Sequence, residues 1–169
     1  MTPTTDTGWE QRLSAVWQSL DDLPEAGFLA AIDELVAERP ADDPAAIFEH
    51  AAALDSTGHS DLAIPLYRQA LDLGLSGLRR RRATIQLASS LRNLDRSPES
   101  VALLTPELDA ESDELDDAVR AFLALALADT GREREALSLA LTALAPHLPR
   151  YQRSVTNYAG ALLDGHPPG

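Results

Sequence analysis

The chain has 169 residues, of which 44% are hydrophobic but only 5% aromatic, and 27 acidic residues against 14 basic ones leave a net charge of −13. That length is one domain's worth, with little room for a second catalytic domain, so one compact unit is expected. Cysteine is absent, which excludes disulfides, thiolate nucleophiles and Cys-ligated zinc, and the acidic field repels polyphosphate and so argues against nucleic acid.

Residues 1–8 are polar and carry Asp6 where a secretory signal needs basic residues ahead of an apolar core, so they read as a disordered start without an export signal. The most apolar run, Ala121 to Ala128, is far shorter than the roughly 20 residues that span a bilayer. A cytoplasmic protein is expected. Leu and Ala must supply most of the packing, both are strong helix formers, and no β-branched alternation argues for a strand.

Helices come in pairs along the chain. Trp9, Leu13, Val16, Trp17 and Leu20 share one face of a first amphipathic stretch. Pro24 opens a second, with Phe28, Ile32, Leu35 and Val36 inward, which ends before Arg39-Pro40. This pair, residues 9–43, reads as a divergent repeat or an N-terminal cap. From Pro44 a helix carries Ile47, Phe48, Ala51 and Leu54 and stops at Gly58, a position suited to a left-handed cap. Ser60 is expected to cap the next helix, where Ala63, Leu66, Tyr67, Ala70 and Leu71 share a face and Pro65 should kink or delay the first turn.

After Leu73-Gly74-Leu75-Ser76-Gly77, another helix carries Ile85, Ala88 and Leu91. Ser97-Pro98, a cap residue followed by proline at the first turn, opens its partner, which Pro106 cuts short. Asp95 stands where the neighbouring units have Gly58 and Gly131. A third unit is expected to start at a Ser112 cap, run through Leu115, Phe122, Ala124 and Leu127, turn at Thr130-Gly131 and reach Pro146. A last helix over 150–164 presents Tyr151, Val155, Tyr158 and Leu162, and 165–169 reads as a frayed tail.

The spacing Gly58-x4-Ala63-x3-Tyr67-x2-Ala70 returns as Gly131-x4-Ala136-x3-Ala140-x2-Ala143, and Ala51, Ala88, Ala124 and Ala159 recur every 35 to 37 residues. A repeat of that length marks stacked helix pairs, for which about 34 is the tetratricopeptide period. Gly58, Ala63, Tyr67 and Ala70 resemble the tetratricopeptide consensus in order and spacing. The leading tryptophan, the large aliphatic before the small residue and the closing proline are replaced by Ile47, His50 and Leu75. The chain is similar to small bacterial tetratricopeptide proteins. The resemblance implies an all-α fold: a right-handed α-solenoid of about three helix pairs over 44–149, with an N-terminal helical pair and a C-terminal capping helix. It also implies an interaction module rather than an enzyme.

In such repeats the first helix of each unit lines the concave groove. Helical offsets from the recurring alanines then nominate Phe48, Ala52 and Asp55, then Arg82, Ile85, Gln86, Ser89, Arg92 and Asn93. The third unit adds Ala121, Phe122 and Leu125, and the last helix Arg153, Thr156, Asn157 and Gly160. Arginine pairs hydrogen bonds onto a carboxylate and asparagine both donates and accepts. Arg82, Arg92, Asn93, Arg153 and Asn157, with Phe48, Ile85, Gln86, Ser89 and Phe122 beside them, are therefore the expected site for an acidic or carboxylate-ended segment of a partner protein. The alternatives are that these arginines are solvated or pair with Asp55 and Glu49, or that the chain is a self-associating homodimer.

The run Arg79 to Arg82 invites a nucleic-acid reading, but phosphate binding needs more contacts and interleaved aromatics. Pairing with the acidic run Asp109 to Asp117, or docking of an acidic partner, suits it better. That acidic run fails as a calcium loop, because Glu114 stands where glycine is required and Arg120 where the bidentate glutamate is required. His50, His59, His147 and His166 have no metal-ligand spacing, and nucleophile elbows and phosphate loops are missing, so neither cofactor nor catalysis is expected.

Overall fold

The computed structural model describes residues 7–164, so most of the polar start and the tail at 165–169 lie outside the described residues. Thr7 and Gly8 already belong to the first helix. The described residues form nine α-helices and no strand: α1 (Thr7–Gln18), α2 (Glu25–Ala37), α3 (Pro44–Ser56), α4 (Ser60–Asp72), α5 (Gly77–Asn93), α6 (Ser97–Leu104), α7 (Asp116–Asp129), α8 (Glu133–Leu144) and α9 (Gln152–Leu163). Short 3-10 turns over Thr105–Asp109 and Ala145–His147 follow α6 and α8. None of these helices is long and apolar enough to cross a membrane.

The chain divides into two compact units, Met1–Ala83 and Thr84–Gly169, where length predicts one, and the division falls inside α5. Stacked repeats touch only their neighbours, so apolar burial is local rather than gathered into one core. In the first unit Trp9, Leu13, Phe28, Ile32 and Leu35 meet Ala46 and Ala53. The Trp9 indole Nε1 donates to the Leu35 carbonyl at 2.9 Å, and Trp17 meets Phe28 edge-on at 5.3 Å. Burying each large side chain here contributes about 1.5–3 kcal/mol. Ala51 on α3 and Ala63 and Ala70 on α4 are fully buried, as the need for close backbone approach between paired helices requires. In the second unit Ile85, Ala88, Leu104, Val119, Leu123, Ala124, Leu127 and Ala136 form the core, with Phe122 at its edge. Ser138 Oγ ties α8 to α9 by donating to the Ala159 carbonyl at 2.8 Å.

One turn recurs between the helices of each pair from α3 to α8 and again at the end of α4, where Gly74 has φ of 85° and the Leu75 amide donates to Ala70 O at 3.0 Å. Gly58, Asp95 and Gly131 have φ of 90°, 59° and 77°. The next amide in each case donates back five residues: His59 to Leu54 O at 2.9 Å, Arg96 to Leu91 O at 2.9 Å and Arg132 to Leu127 O at 3.0 Å. This is the hydrogen bond that closes a helix through a left-handed residue. The middle unit keeps the turn although it has lost the glycine.

That turn displaces the expected caps. His59 and Arg96 are the N-caps, so Ser60 and Ser97 take the first helical position, and their hydroxyls donate instead to Asp55 at 2.8 Å and Asp129 at 3.2 Å. α7 begins at Asp116 rather than at Ser112. The acidic run is a loop there, in which Ser112 Oγ donates to Asp116 at 2.6 Å and the Leu115 amide to Asp113 at 2.7 Å. Pro65 leaves α4 unbroken from Ser60 to Asp72, and both Pro65 and Asp61, whose carbonyl loses its partner, belong to the exposed side. Pro106 does end α6, which stops at Leu104.

Candidate functional site

Two clefts, one in each unit, each hold an arginine paired with a carboxylate. The first, of about 300 Å³, is lined by Glu10, Leu13, Ser14, Trp17, Glu49, Arg79 and Arg82. Glu49 is only 2% exposed. It survives burial because Arg79 Nε donates to it at 2.8 Å and the Trp17 indole at 2.9 Å. The other two Arg79 nitrogens reach Glu10 at 2.9 and 2.6 Å, and its guanidinium also lies 5.8 Å from the Trp9 ring. The hydrogen bonds to Glu10 hold the Arg79 cation even more firmly protonated than usual. Arg82 is half-buried, with its guanidinium 5.1 Å above the Phe48 ring. Arg80 and Arg81 engage partners as well, and Arg81 is buried. The basic run is thus broken up: Arg79 is spent on Glu10 and Glu49.

The second cleft, of about 730 Å³, is lined by Arg92, Asn93, Asp95, Ser97, Pro98, Asp129 and Thr130. Arg92 is committed here to Asp129. Its Nε lies 2.6 Å from Oδ2 without hydrogen-bond alignment, and a terminal nitrogen donates to Oδ1 at 3.3 Å.

Among the expected groove residues, Arg82 and Phe48 are brought together, and Phe48 is 0% exposed beneath the cation. Ile85 is buried in the core of the second unit, with Phe122 packed against it. Gln86 and Ser89 are half-buried on α5, and Gln86 Oε1 is buried without a hydrogen-bond partner. Arg92 and Asn93 share the second cleft, Arg92 half-buried and Asn93 exposed. Arg153 and Asn157 lie one turn apart on the exposed side of α9 and line neither cleft. The roles of Asp129 in the second cleft, and of Glu10 and Trp17 in the first, were not legible from helical offsets. Each joins residues distant in sequence, and only the turn and the N-terminal pair bring them there.

A profile described as tetratrico peptide repeat matches residues 44–162. The chain belongs to the tetratricopeptide repeat family. The matched span of this tetratricopeptide protein runs from α3 to the end of α9, leaving α1 and α2 ahead of it. Among solved structures it is similar to Podosopora anserina repeats named for kinesin light chain and described as nearly identical and TPR-like. A substituted form has a TM-score of 0.68 at 16% identity, covering 92% of this chain and 86% of that one. A second form gives 0.66 at 16% identity, covering 92% and 91%. At that identity the likeness shows the fold, an all-α helical repeat. No curated protein matches the sequence. Tetratricopeptide repeats as a family are scaffolds for protein–protein interaction, so the chemistry to look for is recognition.

Proposed function

We propose that this tetratricopeptide protein binds an acidic or carboxylate-ended segment of a partner protein, with Arg153 and Asn157 of α9 as its most available contacts. The observation that carries the reading is the contrast among its arginines. Arg79 is spent on Glu10 and Glu49, Arg92 on Asp129, and Arg82 covers Phe48. Arg153 and Asn157 are solvent-exposed, α9 contains no carboxylate from Gln152 to Leu163, and the rest of the chain is strongly acidic. A guanidinium and an amide one helical turn apart suit a carboxylate, which accepts from both. Within the same unit Arg92 and Asn93 are the further candidate contacts, with Gln86 and Ser89 half-buried and Ile85 and Phe122 in or against the core, whereas Arg82 and Phe48 belong to the other unit. Arg92 joins the contact only by leaving Asp129, so it tunes affinity more than it sets it.

The test is capture from native lysate with wild type, Arg153→Ala, and Arg92→Ala combined with Arg153→Ala, each checked for unchanged helical circular dichroism. An acidic partner held by wild type and lost from both variants is the expected result. Capture unchanged by the double substitution contradicts the assignment.

A further inference from the structure

Arg150 and Arg153 are exposed and make no hydrogen bond, ion pair or ring contact among the described residues, whereas every other arginine of the chain has at least one such partner. No carboxylate of the chain lies between residues 148 and 163 to compete for them. Tyr151 stands between the two and is 75% exposed. Its backbone is left-handed, at φ 68° and ψ 12°. The other left-handed positions among the described residues hold Gly58, Gly74, Gly77, Gly131 and Asp95, types that tolerate that conformation. A tyrosine does not, because its Cβ crowds the following carbonyl oxygen. Burial does not offset this cost, since the ring lies in solvent.

The turn is held by groups other than that ring. The Gln152 amide nitrogen donates to the Pro146 carbonyl at 3.0 Å and to the Leu148 carbonyl at 2.9 Å, and the Val155 amide donates to the Tyr151 carbonyl at 2.9 Å. Strain that the surroundings maintain and that packing does not use points to contact with something outside the fold. What that is follows from the neighbours. Two unpaired guanidiniums suit a carboxylate, and an exposed ring offers a rigid apolar surface at little entropic cost. Two residues of chain span at most about 7 Å, so the ring lies within reach of a ligand that either arginine holds. A single ligand residue presents a carboxylate and an apolar side chain from one Cα only when it is the last residue of a peptide.

We infer that Arg150, Tyr151 and Arg153 are the specificity-determining corner of the α9 site, the two guanidiniums taking a peptide's C-terminal carboxylate and the Tyr151 ring the apolar side chain of that same last residue. The inference rests on the acidic-segment reading above and narrows its ligand to chains that end in an apolar residue. Tyrosine and arginine are also the side chains that carry most of the affinity in small interfaces.

The test is fluorescence anisotropy of the full chain with labelled peptides of one acidic sequence ending in Leu, Phe, Ser or amidated Leu. Wild type is expected to bind the free Leu and Phe ends about tenfold more tightly than the Ser and amidated ends. Tyr151→Asn, which suits a left-handed backbone but has no ring, is expected to bind the Leu and Phe ends only as well as Ser, and Tyr151→Phe to bind as wild type does. Arg150→Ala is expected to weaken every free-ended peptide by about tenfold while keeping the preference for Leu over Ser. Tyr151→Asn is expected to melt no lower than wild type, as relief of the strain requires. A wild type indifferent to the last residue, a Tyr151→Asn that keeps the preference, or a Tyr151→Asn that melts lower because the ring serves folding overturns the inference. Acidic peptides bound equally whatever their last residue, and lost from Arg153→Ala, overturn it while leaving the acidic-segment reading intact. Binding of none of them overturns both.

Discussion

At the scale of single residues, the energetics turn on two buried polar groups that local structure alone does not explain. Glu49 is buried between Arg79 and Trp17, and a carboxylate in that position is tolerable only while its cation stays. Arg79→Ala is therefore expected to cost about 2–4 kcal/mol in urea unfolding, more than an exposed ion pair is worth. Combining Arg79→Met with Glu49→Leu should recover most of that loss, since the stranded charge goes with its partner. A single substitution costing under about 0.5 kcal/mol would show the pair to be idle. Tyr67 is the second case. It is fully buried and its hydroxyl donates to Asp55 at 3.3 Å, so burial first, and Asp55 second, push its ionisation well above the usual value near 10. A raised folded-state value means the stability is fully present below about pH 10 and falls as pH climbs beyond it, because the unfolded chain ionises first. Urea melts at pH 8 and pH 11 are expected to show a larger loss for wild type than for Tyr67→Phe. Equal losses would mean that Tyr67 ionises normally.

At the scale of helices and turns, the repeat is carried by backbone geometry more faithfully than by residue identity. Asp95 holds the left-handed turn at φ 59°, a conformation in which a side chain costs energy that glycine does not pay, although aspartate tolerates it better than most. Asp95→Gly is expected to stabilise by roughly 0.5–1 kcal/mol, the relief exceeding the extra freedom of the unfolded chain. Gly131→Ala is expected to cost about 1–2 kcal/mol. Its added Cβ meets nothing within 4 Å, so this cost is purely conformational. Thermal unfolding of both variants checks the pair, and opposite signs are the expected outcome. The helices themselves were legible because alanine and leucine recur at helical spacing and Gly58 and Gly131 mark the turns. The caps were not. Ser60, Ser97 and Ser112 look like cap residues in sequence, yet the left-handed turn takes up one more residue at the first two, and the carboxylates of the acidic loop hold Ser112 ahead of the helix.

At the scale of the whole molecule, the family and the all-α repeat fold follow from the period and the small-residue pattern, while the binding surface follows only in outline. Helical offsets nominated Arg82, Arg92 and Arg153 alike. They could not show that Asp129 holds Arg92 or that Phe48 lies under Arg82, since those partners come from other helices. The two-unit division was equally hidden, because each unit's apolar cluster is assembled from helices whose sequence patterns look alike. What remains distinctive is a chain of net charge −13 whose last helix carries no carboxylate over its length. The most direct test of the account is selection from a random peptide library with free C-termini, on wild type and on Arg153→Ala, at about physiological salt. Enrichment of acidic, carboxylate-ended peptides by wild type that Arg153→Ala abolishes is the result the account requires. Enrichment of basic peptides, or an acidic set that Arg153→Ala retains in full, would contradict it.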